Sequence, residues 1–130
     1  MTSKQVVAGP GVPRQIGPYS QAVRAGSLVF VSGQPGVDPE TGEVAGPTFA
    51  EQAGQVFRNL EAVLGAAGSR PDLVVSTTVL VADQADFEEL NRLFTAFFPV
   101  EPPARMTMQV PLPRGLLLSI GCTALVAEAA

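Results

Sequence analysis

Histidine is absent from this sequence of 130 residues, and cysteine occurs once, at Cys122. Without histidine, the chain lacks the commonest general base and metal ligand of proteins. A single cysteine also excludes an internal disulfide and a cysteine-based zinc site. Ser-His-Asp triads and Cys-His pairs are therefore impossible, and an enzyme built on this chain has to use arginine, carboxylates, hydroxyls, backbone groups and water.

Charged residues are scarce as well, at 15% of the chain, whereas about 25% is usual. The net charge is −4 and the isoelectric point is about 4.6. The eight lysines and arginines are scattered along the chain rather than clustered. Because a protein that binds nucleic acid needs a basic cluster to neutralise phosphates, nucleic acid is not an expected partner.

Long hydrophobic runs are also missing. The longest charge-free stretches, residues 25–37 and 115–127, are shorter than the about 20 residues that a membrane-spanning helix needs. The first residues do not resemble a secretory signal, because Gly9 and Pro10 interrupt the only short apolar stretch there. We therefore expect a cytoplasmic protein with no membrane partner.

Apolar residues are nevertheless abundant. Hydrophobic residues make up 46% of the chain, and the mean hydropathy is +0.27. A length of 130 residues predicts one domain, residues 1–130, with room for one hydrophobic core. Because no membrane span accounts for the apolar excess, we expect the domain to bury part of its surface against copies of itself.

Apolar periodicity and turn signals predict an α+β domain in the order β-β-α-β-α-β-β, with two helices on one face of a mixed sheet. Thr48 and Glu51 form a capping box that starts the first helix. Asp83 is predicted to cap the second helix, which Pro99 stops. The other predicted segments are an irregular lead-in at 9–18 and strands at 20–24, 27–34, 73–82, 105–110 and 116–126.

Two of the predicted strands, 73–82 and 116–126, are largely apolar on both faces, and the first is predicted to be buried on both. Two helices can cover only one face of a sheet. The other face would then expose a larger apolar patch than a monomer usually tolerates. We therefore expect a cyclic oligomer that covers this second face.

Polar groups interrupt apolar surroundings in three segments, at 16–21, 29–34 and 102–109. Arg105 opens an apolar strand, and its permanent charge calls for a carboxylate partner in the protein or for an anionic ligand. The nearest acid in sequence is Glu101. The sequence is therefore equally compatible with an ordinary ion pair between Arg105 and Glu101 and with a site for an anionic ligand.

Tyr19 is the only tyrosine, and Ser32 stands at the end of a strand, before Gly33. Taken alone, their positions fit ordinary hydrogen bonding at a turn and at a strand end. Several motifs occur together, however, in one order over nearly the whole chain. They are Ile-Gly-Pro-Tyr-Ser-Gln at 16–21, Val-Ser-Gly-Gln at 31–34, Thr-Gly-Glu at 41–43, Gln52 with Asn59-Leu60, Asp86-Phe87, Asn91, Phe97-Phe98-Pro99, and Pro103-Ala104-Arg105.

In these motifs the chain resembles the reactive intermediate deaminase family, also called RidA or YjgF. The resemblance implies a chorismate-mutase-like α+β fold and a homotrimer with three clefts between subunits. It also implies hydrolysis of short 2-imino or 2-enamino acids to 2-oxo acids and ammonia, without a cofactor or a metal. By the same resemblance, Arg105 clamps the substrate carboxylate, while Tyr19, Ser32 and the backbone of Gly33 line the cleft.

The sequence departs from the family at positions that matter for catalysis. Where well-studied members have a cysteine two residues after the arginine, this chain has Thr107. Their water-positioning glutamate corresponds to Gly121, with Ser119 two residues before it. Cys122 is expected on the opposite face of that strand, as a small core hydrophobe. Thr107, Ser119 and Gly121 are therefore predicted to line the substrate site.

Two functions follow from this pattern. One is an imine or enamine deaminase of reduced activity, in which Thr107, Ser119 or Tyr19 orients the water. The other is a binder of small carboxylates, or a regulator, that keeps Arg105 and has lost the chemistry. Loss of a general base typically costs about 10²–10⁴-fold in rate, which is compatible with a slow enzyme.

Overall fold

A six-stranded mixed sheet with two helices organises the computed structural model, which describes residues 3–9 and 11–128. The strands lie in the order β1-β2-β3-β6-β4-β5, and all neighbours are antiparallel except β4 and β5. The elements are β1 Gln5–Val7, β2 Ala22–Ala25, β3 Leu28–Pro35, α1 Phe49–Ala66, β4 Val74–Val81, α2 Phe87–Phe97, β5 Ala104–Gln109 and β6 Leu118–Leu125.

This architecture confirms the predicted α+β class and adds one strand. β1 is missing from the predicted order because three residues are too few for a periodic pattern. It is an edge strand that pairs with β2 through Val6 and Val23, and the neighbouring Val7 is buried. The described residues of the lead-in at 9–18 form no helix or strand, and Pro10 lies outside them.

A side-chain cap starts α1, whereas α2 begins without one. Thr48 accepts the backbone N–H of Glu51 at 3.2 Å, and its hydroxyl donates to that carboxylate at 2.7 Å, so the predicted cap of α1 is confirmed. Asp83 also caps, since it accepts the N–H of Ala85 at 2.9 Å. It caps a short 3₁₀ turn, however, and α2 itself begins at Phe87.

Each strand presents one face to the helices, and we call this the helix face of the sheet. Its side chains form a continuous core with α1 and α2, because alternate residues of a strand point to the same side. The largest apolar groups of this core are fully or almost fully buried. They include Val29, Val56, Leu60, Leu64, Val79, Val81, Leu90, Leu118 and Ile120.

The opposite face, called the open face below, is not covered by any other described part of the chain. The prediction that strand 73–82 is buried on both faces is therefore wrong for the single chain, since Val75 is 44% exposed. The other large apolar side chains that stay exposed on this face are Phe30, Met106, Met108 and Leu125. Within the described residues, neither helix is long and apolar enough to cross a membrane.

Candidate functional site

Arg105 and Thr107 lie on the helix face of β5, an edge strand. They pair with Thr77 and Val79 of β4, which are both buried beneath the helices. Residues directly opposite each other on neighbouring strands share a face, so this register fixes the side of the sheet that Arg105 and Thr107 occupy.

The guanidinium of Arg105 is exposed, and its carbon lies 5.0 Å from the centroid of the Phe94 ring. A cation over an aromatic face is attracted to it and held in place without losing its charge. No carboxylate of the described residues forms an ion pair with Arg105, and the alternative pair with Glu101 is not formed. The charge therefore remains available to an anionic ligand.

A β-bulge brings Ser32 and Gly33 together opposite Gly121. The register of β3 and β6 runs from Val31 facing Cys122 to Gln34 facing Ile120, which leaves one extra residue on β3. The Ser32 hydroxyl donates to the carbonyl of Ser20 at 2.6 Å and so ties the bulge to the lead-in. The predicted strand-end hydrogen bond of Ser32 is thus present.

Both glycines at the bulge lie close to atoms of the neighbouring strand. A Cβ at Gly33 would lie 2.8 Å from Oγ of Ser119. A Cβ at Gly121 would lie 3.2 Å from the carbonyl oxygen of Val31 and 3.4 Å from the backbone nitrogen of Gly33. Glycine within a strand often marks such a meeting of backbones. Ser119, Gly121 and the bulge therefore form one compact group at the open face.

Buried amide side chains hold this group in place, and sequence reasoning did not single them out as functional. Gln34 is fully buried, and its Nε2 donates to Oε1 of Gln21 at 2.7 Å and to the carbonyl of Ser32 at 3.0 Å. A buried amide with such partners fixes the local backbone strongly. Their signal in the sequence is their place at the ends of the motifs at 16–21 and 31–34.

A second buried amide fixes the start of β6. Nε2 of Gln52 in α1 donates to the carbonyls of Gly46 and Gly115 at 3.0 and 3.1 Å, and its Oε1 accepts the N–H of Leu117 at 2.8 Å. Gln52 is 1% exposed, so these bonds are shielded from water. The residue thereby sets where Ser119 and Gly121 sit relative to the helix.

Tyr19 lies at a different cleft, on the lead-in, and is 42% exposed. Its hydroxyl accepts the N–H of Ile16 at 3.4 Å, which fits the turn role that the residue alone suggests. The cleft has a volume of about 180 Å³. Its walls come from the lead-in, the turn at 38–42, the amides Gln34 and Asn59, and Arg114.

Cys122 is buried on the helix face, as predicted for a small core hydrophobe. Burial raises the pKa of its thiol to about 12, because the thiolate would lose its hydration. The thiol is therefore protonated near neutral pH and is no nucleophile. No group of three or more His, Cys, Asp or Glu within 3–9 and 11–128 is arranged to hold a metal ion.

The predicted site residues fall into separate places in one chain. Ser32, Gly33, Ser119 and Gly121 come together at the bulge, and Tyr19 is next to Ser20, to which Ser32 is bonded. β4 separates β5 from β6, so Arg105 and Thr107 lie roughly 10 Å from β6. They also point to the opposite face of the sheet. One chain alone does not gather the predicted site.

Comparisons with known proteins agree over nearly the whole chain. Residues 11–126 match the family described as Endoribonuclease L-PSP. The chain is 42% identical over 122 residues to Reactive Intermediate Deaminase A, chloroplastic, of Arabidopsis thaliana, covering 93% of this chain and 65% of that protein. The chain thus spans slightly less than two thirds of that relative's length.

A second relative is similar over most of both chains. It is the 2-iminobutanoate/2-iminopropanoate deaminase of Mus musculus, 41% identical over 118 residues, which are 90% of this chain and 87% of that protein. Among solved structures, RidA from the Antarctic bacterium Psychrobacter superposes with a TM-score of 0.89 at 40% identity. It covers 94% of this chain and 99% of that one.

Proposed function

Because this chain belongs to the RidA (YjgF) family, matched under the description Endoribonuclease L-PSP, we propose that it hydrolyses short 2-imino or 2-enamino acids to 2-oxo acids and ammonia. Relatives that are named as reactive intermediate and 2-iminobutanoate/2-iminopropanoate deaminases support this proposal. The observation that carries it is the unpaired guanidinium of Arg105, together with a separate bulge that offers backbone and hydroxyl groups.

We further propose that the working site forms between copies of the chain in a homotrimer. Arg105 and the bulge cannot meet within one chain, because they lie on different faces and β4 intervenes. The exposed apolar side chains of the open face, such as Phe30 and Met106, supply a surface for a neighbouring copy. In such an assembly, β5 of one copy approaches the bulge of the next.

The proposed reaction begins with the substrate carboxylate on Arg105, because a guanidinium matches a carboxylate with two parallel hydrogen bonds. Water attacks C2 of the protonated imine, and the electron pair of the C=N bond moves to nitrogen. The water oxygen then loses both of its protons, of which the nitrogen gains one and solvent takes the other, and the C2–N bond breaks to release ammonia and the 2-oxo acid. An enamine first takes a proton at C3 and becomes the imine.

No side chain at the bulge can act as a strong base at neutral pH. Ser32, Gly33, Ser119 and Gly121 carry no group that ionises near pH 7. The protein therefore relies on orientation, which lowers the barrier by removing freedom of the water and the substrate before reaction. We expect hydrolysis about 10²–10⁴-fold slower than with a general base at this position.

The lack of an ionisable group at the bulge also favours the second candidate function, a non-catalytic binder of small carboxylates. This candidate keeps the role of Arg105 and removes the chemistry. Ammonia release distinguishes the two, measured on 2-iminopropanoate generated in situ, beside calorimetric titration with 2-oxo acids. Ammonia release above the spontaneous rate supports the deaminase, whereas binding of 2-oxo acids without any gain in rate selects the binder.

A further inference from the structure

A row of four phenylalanine rings leads from α1 to the guanidinium of Arg105. The ring centroids of Phe57 and Phe97 lie 4.7 Å apart, and those of Phe97 and Phe98 lie 4.8 Å apart. Phe98 in turn lies 4.8 Å from Phe94, and the guanidinium carbon of Arg105 is 5.0 Å from the Phe94 centroid. Because tilted and edge-to-face contacts are favourable between aromatic rings, the ring beside Arg105 is held in place by its neighbours.

Phe94 and Arg105 differ in exposure. Phe94 is 5% exposed, whereas Arg105 is an exposed residue. An exposed arginine has much rotamer freedom to lose when it binds an anion. A buried ring against the guanidinium restricts this freedom before a ligand arrives, and it attracts the cation without neutralising its charge.

The backbone beside Arg105 is fixed as well. Thr77 of β4 is 2% exposed and pairs with Arg105 of β5. Its hydroxyl donates to the carbonyl of Ala104, the residue before Arg105, at 3.0 Å. The strand thus fixes where the side chain of Arg105 begins, and the Phe94 ring fixes where it ends. Ordering a binding group in advance lowers the cost of binding.

From this geometry we propose that Phe94 is a positioning residue for ligand recognition. Its ring holds the guanidinium of Arg105 in the orientation that receives the carboxylate of a small 2-oxo or 2-imino acid. The assignment rests on the proposed function, because it takes Arg105 as the group that binds the carboxylate. Phe94 acts through Arg105, so it affects affinity by the order that it gives to the guanidinium.

The assignment is tested with Phe94→Leu, Phe94→Tyr and the control Phe98→Leu. Phe98 is also 5% exposed and belongs to the same row of rings, but Arg105 lies over Phe94. Calorimetric titration with pyruvate gives the Kd, and thermal unfolding checks each fold. We expect Phe94→Leu to raise the Kd about 3- to 10-fold, because leucine fills space but has no π face. Phe94→Tyr keeps most of the affinity, and Phe98→Leu lowers the melting temperature at a nearly unchanged Kd.

Nuclear magnetic resonance relaxation of the Arg105 Nε–H group gives a readout that needs no ligand. Its order parameter reports motion of the guanidinium on the picosecond to nanosecond timescale. We expect this order parameter to fall in Phe94→Leu and to stay unchanged in Phe98→Leu.

Three results overturn the assignment alone. They are an unchanged Kd in Phe94→Leu, an equal rise of the Kd in Phe98→Leu, and an unchanged order parameter of Arg105 in Phe94→Leu. If the wild-type protein binds no 2-oxo acid, the carboxylate recognition of the proposed function fails and this assignment fails with it.

Discussion

At the scale of single residues, the proposed ligand recognition depends on Arg105. Its guanidinium lies over Phe94 and pairs with no carboxylate of the described residues. Among the described arginines, Arg92 offers a contrast, because it pairs with Glu89 on the surface of α2 at 3.3 Å. An arginine held by a ring but not neutralised is suited to a ligand that brings its own negative charge.

Replacing Arg105→Ala is expected to abolish binding of small 2-oxo acids while the fold stays intact. Removal of one partner of a desolvated, hydrogen-bonded charge pair costs about 2–5 kcal/mol. Calorimetric titration with pyruvate measures the loss, and Arg92→Ala is the matched control that keeps its affinity. Equal affinities of wild type and Arg105→Ala would show that this arginine has no part in the ligand site.

A carboxylate introduced at residue 121 tests whether the missing acid limits the rate. Gly121→Glu is expected to raise ammonia release per folded molecule and to lower the unfolding free energy by about 1–3 kcal/mol, because its Cβ presses on the Val31 carbonyl at 3.2 Å. Gly121→Ala separates the two effects, since it brings the same crowding without the acid. The measurements are ammonia release and melting temperature.

The result that contradicts this expectation is a well-folded, ligand-competent Gly121→Glu protein with no gain in rate. Such a protein would favour the carboxylate binder over the slow deaminase. Equal gains in Gly121→Glu and Gly121→Ala would attribute the change to the bulge backbone rather than to the acid.

At the scale of elements, long periodic segments are predictable and short or bulged ones are not. The periodicity and cap of α1 agree with the structure, and all five predicted strands match observed strands to within two residues at each end. β1 was not predicted because its three residues form a strand only by pairing with β2, and they carry too little local signal of their own. The start of α2 differs because Asp83 caps a 3₁₀ turn before the helix.

The candidate site follows the same division. Motif order predicts Arg105, Ser32 and Gly33 as site residues, whereas their relative placement depends on the register of β3, β6 and β4. The bulge shifts that register by one residue, and no local sequence pattern predicts this shift. The contact between Gly33 and Ser119 is likewise a product of tertiary structure.

The buried amide of Gln52 joins α1 to the start of β6. We expect its removal to destabilise the packing between these two elements. Gln52→Leu leaves two carbonyls and one N–H without partners, which should lower the unfolding free energy by about 2–4 kcal/mol. Gln84→Leu, at an exposed position, serves as control and should change it by less than about 0.5 kcal/mol. Urea unfolding at one fixed protein concentration measures both, and equal stabilities would contradict the role given to Gln52.

At the scale of the whole molecule, the open face is the dominant feature. Phe30, Val75, Met106, Met108 and Leu125 are each at least 40% exposed on this one side of the sheet. A face of this kind is unusual for a protein that stays monomeric. In the homotrimer proposed above, neighbouring copies cover this face, and β5 of one copy approaches the bulge of the next.

Light scattering at micromolar concentration is expected to give a mass three times that of the 13.5 kDa chain. Phe30→Glu should weaken the assembly, because it places a charge on the open face. Val100→Glu is the control, since Val100 is 76% exposed on the loop before β5. A stable wild-type species of 13.5 kDa would contradict the trimer.

In the proposed homotrimer, Arg105 and the bulge act on one ligand only when they come from different copies. Complementation between Arg105→Ala and Gly33→Val tests it most directly, because Gly33→Val fills the space beside Ser119. Each variant alone should fail to bind 2-oxo acids or release ammonia, and the two refolded together should regain part of both activities. Mixed oligomers, verified by mass spectrometry, that regain neither would contradict a site shared between copies.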